Sequence, residues 1–351
     1  MRYGDSVKNT LAVAAALAAA TLASPLAAQW RTVTPGGDTL CADGSPYRFF
    51  VHPGDPAKLL VEFEGGGGCW DAQTCELDIY NRRVLVDPEQ VQRNGQLQGI
   101  YERTRTDNPL RDFTHVYIPY CTGDLHWGNA VQTYAGRNGS YVVPHRGGVN
   151  AAAAVGWAYD NVLAPSQLVV AGCSAGGYGA TAWSANLMAH YPGASAAHLS
   201  DSAAGVIPEG FFQKALRNWG VASSPAWPSF IPSVTIERLD TPTASLPDFY
   251  DGVAGYFPLS AFSQFNTSLD STQIFFYVMT NPPVLDDWPV RMPASVARIR
   301  AANPNFFSYT APGSQHCIIN RPELYTTTVG GVRLTDWVNR LVTTHQPGNV
   351  P

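Results

Sequence analysis

The stretch QLVVAGCSAGGYGA, residues 167–180, decides how the rest of the chain is interpreted. Residues 168–171 are apolar and include two valines, which is typical of a strand that is buried on both faces of a parallel sheet. Residues 172–176 form a G-x-S-x-G pattern, and residues 177–190 are rich in Ala, Leu, Met and Trp, which favours a helix. A strand, a glycine-flanked turn and a helix together present the central serine, Ser174, as a nucleophile above the sheet edge.

The segments around this stretch alternate between strand and helix patterns. Strands are predicted at 48–52, 58–64, 115–120, 196–199, 259–265 and 306–309, and helices at 147–162, 209–219, 290–302 and 334–344. This alternation predicts an α/β fold in which a mainly parallel sheet carries helices on both faces. We expect residues 29–351 to form one domain. Residues 220–257 are rich in Pro and Ser and are predicted to be an irregular insertion, either a lid or substrate wall, or a surface loop without a role.

The first 28 residues have a different character from the rest. Arg2 and Lys8 supply positive charge at the start of the chain. Residues 11–22 are almost all Ala, Leu and Val, and small residues follow at 27–28. This pattern predicts a secretory signal peptide, with a retained N-terminal anchor as the alternative. We therefore expect a secreted protein, extracellular or periplasmic, without a stable membrane span once the signal is removed.

The composition narrows the function classes. The 351 residues are 45% hydrophobic and 14% charged, with a formal net charge of −5. Because no basic run or stripe occurs, the composition argues against nucleic-acid binding. The absence of C-x-x-C and H-E-x-x-H patterns and of closely spaced histidines predicts that there is no metal site.

A serine hydroxyl is a weak nucleophile unless a histidine accepts its proton and a carboxylate orients that histidine. In this order of elements, the carboxylate and then the histidine follow the serine. His316 lies in a loop after the last predicted strand, at the sheet edge where Ser174 is expected, and is the preferred base. Asp270 ends a loop that follows a predicted strand, at the usual place one or two strands after the serine, and is preferred as the carboxylate. Asp201 follows the next strand after the serine and is the alternative. The other histidines after the serine lie in less suitable places: His190, His198 and His345.

The negative charge that develops on an ester oxygen needs backbone N–H donors. The amide of Ala175, directly after the serine, is one candidate. The glycine run at residues 65–68 follows an early predicted strand, where the loops of esterases supply the other donors. The alternative is that this run is only a flexible hinge.

Six cysteines in an exported protein predict three disulfide bonds. Cys173 precedes the serine and Cys317 follows the histidine, so a hydrogen bond between Ser174 and His316 would make these two cysteines neighbours. Cys69 and Cys75 are close enough in sequence to pair locally. The pair Cys41–Cys121 then follows by elimination.

Several segments resemble the pectin acetylesterase/Notum family. Residues 61–70 (VEFEGGGGCW) together with Cys75 are similar to its glycine-rich segment. Residues 118–124 (IPYCTGD), 172–177 (GCSAGG) and 199–202 (LSDS) are similar to further family segments in the same order. The resemblance covers most of the chain from Cys41 to His316 and is far more specific than the serine pattern alone.

Members of that family are carboxylic-ester hydrolases of the α/β-hydrolase type with a Ser-Asp-His triad, so the resemblance implies the same here. Residues 266–273 resemble the family's N-x-x-Y-D-x-x-Q segment, with Leu269 in place of the Tyr, which implies Asp270 rather than Asp201 as the carboxylate. The residues implied by position are Ser174 as nucleophile, Asp270 as orienting carboxylate, His316 as base, and the amides of Gly66, Gly67 and Ala175 as oxyanion hole.

The leading hypothesis is a secreted serine carboxylesterase, without a cofactor, that deacetylates a pectin-like polysaccharide through an acyl-enzyme. The candidate substrate-binding residues are Trp70, Asp124, His126 and Trp127. One alternative is an esterase for lipid, short-chain or phenolic esters, because the Cys-Ser, Asp and His-Cys order is also similar to that of tannases and feruloyl esterases. Another is an inactive extracellular binding protein of the same fold. The sequence makes no prediction of the oligomeric state.

Overall fold

The computed structural model describes residues 29–280, 284 and 286–351, and the predicted signal peptide lies outside these residues. The strands, in chain order, are β1 (Arg31–Val33), β2 (Phe49–His52), β3 (Asp55–Phe63), β4 (Phe113–Ile118), β5 (Ala130–Gly136), β6 (Gly139–His145), β7 (Gln167–Cys173), β8 (Ser195–Asp201), β9 (Phe262–Thr267), β10 (Phe306–Ala311), β11 (Thr328–Val329) and β12 (Val332–Arg333). The helices are α1 (Ala72–Glu76), α2 (Pro88–Arg93), α3 (Gly147–Asn161), α4 (Ala175–His190), α5 (Phe211–Asn218), α6 (Ile236–Leu239), α7 (Leu246–Tyr256), α8 (Ser271–Met279), α9 (Trp288–Ala302) and α10 (Leu334–Thr344).

Eight strands form the central sheet in the order β1-β2-β4-β3-β7-β8-β9-β10. Within this sheet, β4, β3, β7, β8, β9 and β10 are parallel to one another, whereas β1 and β2 add an antiparallel edge beside β4. Parallel strands place their carboxyl ends at one edge of the sheet, which is where ligands bind in open α/β folds. The predicted mainly parallel α/β architecture is confirmed.

Both faces of the sheet are covered, as the continuous apolar runs predict. Because side chains alternate along a strand, Leu59, Val61 and Phe63 of β3 pack into a core with α3, α4, α7 and α9, whereas Leu60 packs into a second core with α10. Burial on both faces fixes β3 and β7 at the centre of the sheet, so the turns at their ends are held rigidly.

The stretch predicted to be an irregular insertion, residues 220–257, needs a correction. It contains the helix α7, whose first turn is fixed by a reciprocal capping box between Ser245 and Asp248. Phe249 and Tyr250 of α7 are fully buried, so their rings are core packing rather than a surface for sugar. The high Pro and Ser content of this stretch concealed a helix that tertiary packing stabilises. The role of residues 220–257 as a lid stays a prediction.

Other differences lie at element ends. The strand predicted from Leu259 begins at Phe262, because Pro258 and Ser260 flank Leu259 in a turn that leaves this residue 91% exposed. The helix after the serine begins at Ala175 rather than at residue 177, so it starts directly behind Ser174. The hairpin of β5 and β6 and the helix α8 were not predicted.

Candidate active site

Ser174 occupies the sharp turn between β7 and α4 with a φ of 57°, in the left-handed region that L-residues rarely adopt. The turn is possible because its flanking residues lack side chains. A Cβ at Gly172 would overlap the Gly176 carbonyl, and a Cβ at Gly176 would overlap the Phe63 carbonyl of β3. The strain and the close approach raise the serine at the carboxyl edge of the sheet, above the N-terminus of α4.

His316 and Asp270 form a close pair. The ring Nδ1 of His316 lies 2.9 and 2.8 Å from the two carboxylate oxygens of Asp270. Since an ionised carboxylate only accepts, Nδ1–H is the donor, which leaves Nε2 free to act as a base. The Asp270 side chain is fully buried, and the His316 side chain is 17% exposed.

Asp270 is oriented by the beginning of α8. As the N-cap residue, it accepts the backbone N–H groups of Thr272 and Gln273 at 3.0 and 2.9 Å. The side-chain amide of Gln273 donates to its second oxygen at 3.0 Å. These three donors and the positive end of α8 stabilise a buried carboxylate in one orientation.

Asp201, the alternative carboxylate, has a different position. Its Oδ2 accepts the backbone N–H groups of Ile318 and Ile319 at 2.6 and 2.9 Å. Its backbone carbonyl accepts the N–H of Ser174 at 2.8 Å. Asp201 therefore fixes the loop that carries the histidine and ties it to the serine turn, while Asp270 contacts the histidine ring itself.

A disulfide bond joins Cys173 to Cys317, with 5.6 Å between the Cα atoms. It links the residue before the serine to the residue after the histidine. Ser174 and His316 accordingly line the same two cavities. The other cysteines pair as Cys41–Cys121 and Cys69–Cys75.

The glycine run bends directly beside the serine. A Cβ on Gly65 would lie 3.0 Å from the Cβ of Ser174, so the glycine backbone approaches the serine too closely to leave room for a side chain. Gly67 has a φ of 76°, and the Gly66 carbonyl accepts the Asn81 N–H at 2.8 Å, which holds the bend. Within the described part of the chain, the amides of Gly66, Gly67 and Ala175 donate to no protein acceptor, so they are available to an oxyanion.

Two cavities of different character meet at the serine. One has a volume of about 100 Å³ and is walled mainly by apolar and aromatic side chains, among them Trp70, Phe211 and Ala215. The other has a volume of about 390 Å³ and carries polar groups, among them Glu64 and Arg321. We call them the apolar cavity and the polar cavity.

The four predicted substrate-binding residues separate into two pairs. Trp70 and Trp127 line the apolar cavity, although they are only 6% and 1% exposed. Asp124 is fully buried and accepts from the Thr122 hydroxyl at 2.6 Å and the Gly147 N–H at 2.7 Å. His126 is also buried, so Asp124 and His126 brace loops behind the site and line neither cavity.

Glu62 and Glu64 of the polar cavity were not predicted as site residues. The Tyr101 hydroxyl donates to Glu62 at 2.9 Å, and His115 Nε2 lies 2.7 Å from its other oxygen. Burial raises the pKa of both Glu62 and Glu64 to about 8. Two glutamates spaced two residues apart, around Phe63 at the end of the predicted strand 58–64, were the signal that could have revealed them.

Among the described residues, one group of histidine and cysteine ligand atoms lies around His316 and another around His145, and within each group the atoms are no more than 4.8 Å apart. The cysteines of both groups are joined in disulfide bonds, so they offer no thiolate to a metal ion. Among the described residues, no helix is both long and apolar enough to span a bilayer.

A family model described as Pectinacetylesterase matches residues 31–217. The chain belongs to this family. The match contains the glycine bend and Ser174, whereas Asp270 and His316 lie beyond it. The resemblance stated from the sequence is confirmed, and membership of a carboxylesterase family supports an esterase site.

The chain is also similar to curated carboxylesterases. It is 33% identical over 96 residues to the palmitoleoyl-protein carboxylesterase NOTUM of Schmidtea mediterranea, covering 26% of this chain and 18% of that protein. It is 32% identical over 95 residues to the palmitoleoyl-protein carboxylesterase NOTUM of Drosophila melanogaster, covering 26% of this chain and 14% of that protein. These alignments span less than a fifth of either relative.

Among solved structures, the Wnt deacylase Notum from Drosophila superposes with a TM-score of 0.64 at 15% identity, over 92% of this chain and 95% of that chain. At this identity the likeness shows the fold alone. The fold is therefore α/β-hydrolase-like, as the resemblance implied.

Proposed function

We propose that this chain is a serine carboxylesterase in which Ser174 is the nucleophile, His316 the base and Asp270 the orienting carboxylate. One observation carries the proposal. A serine in a strained strand–helix turn shares its cavities with a histidine whose Nδ1 is held by a buried carboxylate. A nucleophile, a base and a carboxylate that orients the base are the groups that acyl transfer uses, which supports the proposal.

In the acylation step, the Ser174 oxygen attacks the ester carbonyl carbon and its proton passes to His316 Nε2. The carbonyl oxygen becomes an oxyanion, which the amides of Gly66, Gly67 and Ala175 stabilise. The alcohol leaves with the proton from His316, and an acyl-serine remains. Water then repeats the sequence on the acyl-serine and releases the acid, which restores the enzyme.

The apolar cavity supports an acyl group larger than acetyl. Its volume of about 100 Å³ is several times what one water molecule needs, and aromatic rings form much of its wall. An acetyl group would leave much of this apolar wall without contacts, which forfeits binding energy. We infer that a straight acyl chain of several carbons fits best.

Deacetylation of a polysaccharide is the second candidate. The polar cavity is the observation that favours it, because its volume of about 390 Å³ and its amide and carboxyl groups, such as Gln98 and Glu64, suit a hydroxyl-rich alcohol. The net charge of −5 gives no general attraction to an anionic polymer. Export to an oxidising compartment is part of the proposal, supported by the three disulfide bonds.

The test is hydrolysis of p-nitrophenyl esters from acetate to palmitate, followed by acetylated pectin and acetylated xylan. We expect activity on the p-nitrophenyl esters that rises from acetate to a chain of several carbons and then falls. Ser174→Ala serves as the matched control and should reduce kcat by at least about 10⁴-fold. No activity on any ester would favour the inactive binding protein. Activity confined to acetate and acetylated polysaccharide would instead favour the second candidate.

A further inference from the structure

Glu64 stands at the junction between β3 and the glycine bend and is fixed by the surrounding elements. Its N–H donates to the Ile118 carbonyl at 2.9 Å, and its carbonyl accepts from His126 Nε2 at 2.8 Å. Its carboxyl oxygen accepts the N–H of Tyr120 at 2.8 Å, and the Tyr117 hydroxyl bonds the same carboxyl group. Hydrogen bonds therefore fix both the backbone and the side chain of Glu64, whereas pairing at the end of a strand would fix the backbone alone.

The backbone at Glu64 and Gly65 packs directly against the serine turn. The next residue, Gly65, approaches Ser174 so closely that a Cβ would lie 3.0 Å from the serine Cβ. A Cβ on Gly176 would lie 2.8 Å from the Glu64 carbonyl carbon. Moving Glu64 would therefore move the bend relative to the serine, and with it the candidate oxyanion donors.

Glu64 also lines the cavity in which the proposed reaction would take place. Glu64 is half-buried and lines the polar cavity together with Ser174 and His316. A negative charge at this place would oppose the oxyanion that forms beside the same bend, because like charges repel. A neutral carboxyl group avoids that repulsion and keeps its hydrogen bonds.

We propose that Glu64 is a positioning residue that holds the oxyanion-binding glycine bend, and that it does so as a neutral carboxylic acid. This inference rests on the proposed esterase function. Glu64 makes no bond to the substrate in this role; it sets the place of the amides that do and keeps charge away from them.

The protonation of Glu64 agrees with this geometry. Burial raises the pKa of Glu64 to about 8, and the hydrogen bonds from Tyr120 and Tyr117 only partly oppose the shift. The titratable or charged groups that face it are Glu62 on β3, Tyr117 on β4, Tyr47 before β2, Tyr101 in the short turn at 99–101, His126 against its carbonyl, and His316 and Arg321 across the cavity. Burial lowers the pKa of His126 to about 4, so its ring is neutral where Glu64 titrates. Burial raises the pKa of the three tyrosines well above its ordinary value, so they remain neutral when Glu64 ionises.

The experiment is the pH dependence of kcat/KM on a p-nitrophenyl ester, corrected for uncatalysed hydrolysis. In the wild-type protein, kcat/KM should fall about tenfold between pH 7 and 9, because the neutral fraction of an acid with a pKa of about 8 falls by that factor. In Glu64→Gln, whose side chain is a neutral isostere, the ratio of kcat/KM at the two pH values should be near one. A merely structural role would leave the shape of the profile unchanged.

Glu62→Gln is the matched control, because Glu62 lies two residues earlier on the same face of β3 and burial raises its pKa to the same value of about 8. It should keep the alkaline fall of kcat/KM. A wild-type profile without the fall, a Glu64→Gln profile that retains it, or a Glu62→Gln profile that loses it would each overturn the proposal.

An infrared titration separates this proposal from the proposed function. A protonated carboxyl group has a C=O band that disappears when the group ionises, and the band that Glu64→Gln lacks belongs to Glu64. This band should be present at pH 7 and reduced about tenfold by pH 9 whether or not the protein hydrolyses an ester. A Glu64 that is already ionised at pH 7 would overturn the inference, whereas a neutral Glu64 in a protein without esterase activity would overturn the proposed function alone.

Discussion

The two cavities that meet at Ser174 differ in chemistry although they share its hydroxyl and His316. The apolar cavity lies against α5 and α8, and its lining within the described chain contains no acidic residue. The polar cavity lies against the end of β3 and the segment before β4, and its wall contains Glu62 and Glu64. An ester carbonyl placed at Ser174 would therefore have an apolar environment on one side and a more polar one on the other.

This difference suggests that one cavity takes the acid half of an ester and the other takes the alcohol half. An ester placed with its carbonyl carbon at Ser174 has its acyl chain on one side and its alcohol on the other. The apolar side offers burial without hydrogen bonds, and the polar side offers hydrogen bonds at the cost of burying carboxyl groups. Changes at shared residues should affect all esters alike, whereas changes on one side should affect only one half of the ester.

The largest expected effect comes from Asp270, which supports His316 and lines neither cavity. Asp270→Asn should lower kcat by about 10⁴-fold, because the amide no longer stabilises the correct tautomer and the charged histidine. The loss should be the same for short and long acyl chains, measured with the p-nitrophenyl series. Asp201→Asn is the control, and it should lose less activity because its oxygen can still accept a backbone N–H. A larger loss in Asp201→Asn would assign the carboxylate role to Asp201.

The next effect tests the glycine bend. Gly67 has a φ of 76°, and a Cβ there would overlap the Ile79 carbonyl, so Gly67→Ala must move the bend. Loss of one oxyanion donor costs about 10²–10³-fold in kcat. Gly67 lines both cavities, so we expect the loss for every ester.

Gly68 provides the matched control for the bend. A Cβ at Gly68 would have its nearest neighbours at 3.7 Å, which is an ordinary contact. Gly68→Ala should therefore retain most of the activity. Equal losses in Gly67→Ala and Gly68→Ala would indicate that the run acts as a hinge rather than as a set of fixed donors.

The sequence predicted the parts of the site that depend on local backbone chemistry. Ser174 needs a glycine-flanked turn after a buried strand, and that requirement is written in consecutive residues. Residue patterns alone preferred Asp270 but left Asp201 as an alternative, because both follow strands at the same edge. The resemblance strengthened the choice of Asp270, and the structure brings its carboxylate to the histidine ring.

The cavities themselves could not be predicted. Trp70 and Ala215 lie far apart in the chain, and their meeting depends on how α5 packs over the glycine-rich segment. Glu64 was visible as the residue before the glycines, but its protonation depends on burial beneath Tyr117 and Tyr120, which belong to another strand and its loop. Long-range packing sets both properties.

A smaller effect tests the acyl side alone. Ala215 is buried in the wall of the apolar cavity, and Ala215→Leu would place three more carbons in a space of about 100 Å³. Because one methylene in an apolar pocket is worth about 10–200-fold in discrimination, kcat/KM for the longest accepted ester should fall about 10–100-fold. Acetate in the same series is the internal control and should change little. A uniform loss from acetate to the longest chain would place the acyl group elsewhere.

The smallest effect tests the polar side through stability. Burial raises the pKa of Glu62 from 4.5 in the unfolded chain to about 8 in the folded one, so its stabilising contribution is complete below the unfolded pKa and is lost as pH rises through 8. Between pH 7 and 9 the free energy of unfolding should fall by about 1 kcal/mol for each such carboxyl group. The unfolding temperature of the wild-type protein should decrease over this range, and Glu62→Gln and Glu64→Gln should each flatten the decrease.

The two variants should nevertheless differ in their kinetics, and this difference sharpens the comparison between the cavities. Both glutamates contribute to the pH dependence of stability, but only Glu64 adjoins the bend that carries the oxyanion donors. We therefore expect the stability profile to respond to either variant and the profile of kcat/KM to respond to Glu64→Gln alone. A stability profile that stays the same in both variants would mean that the polar cavity is open enough for both carboxylates to be hydrated. Its carboxyl groups would then be ordinary surface acids.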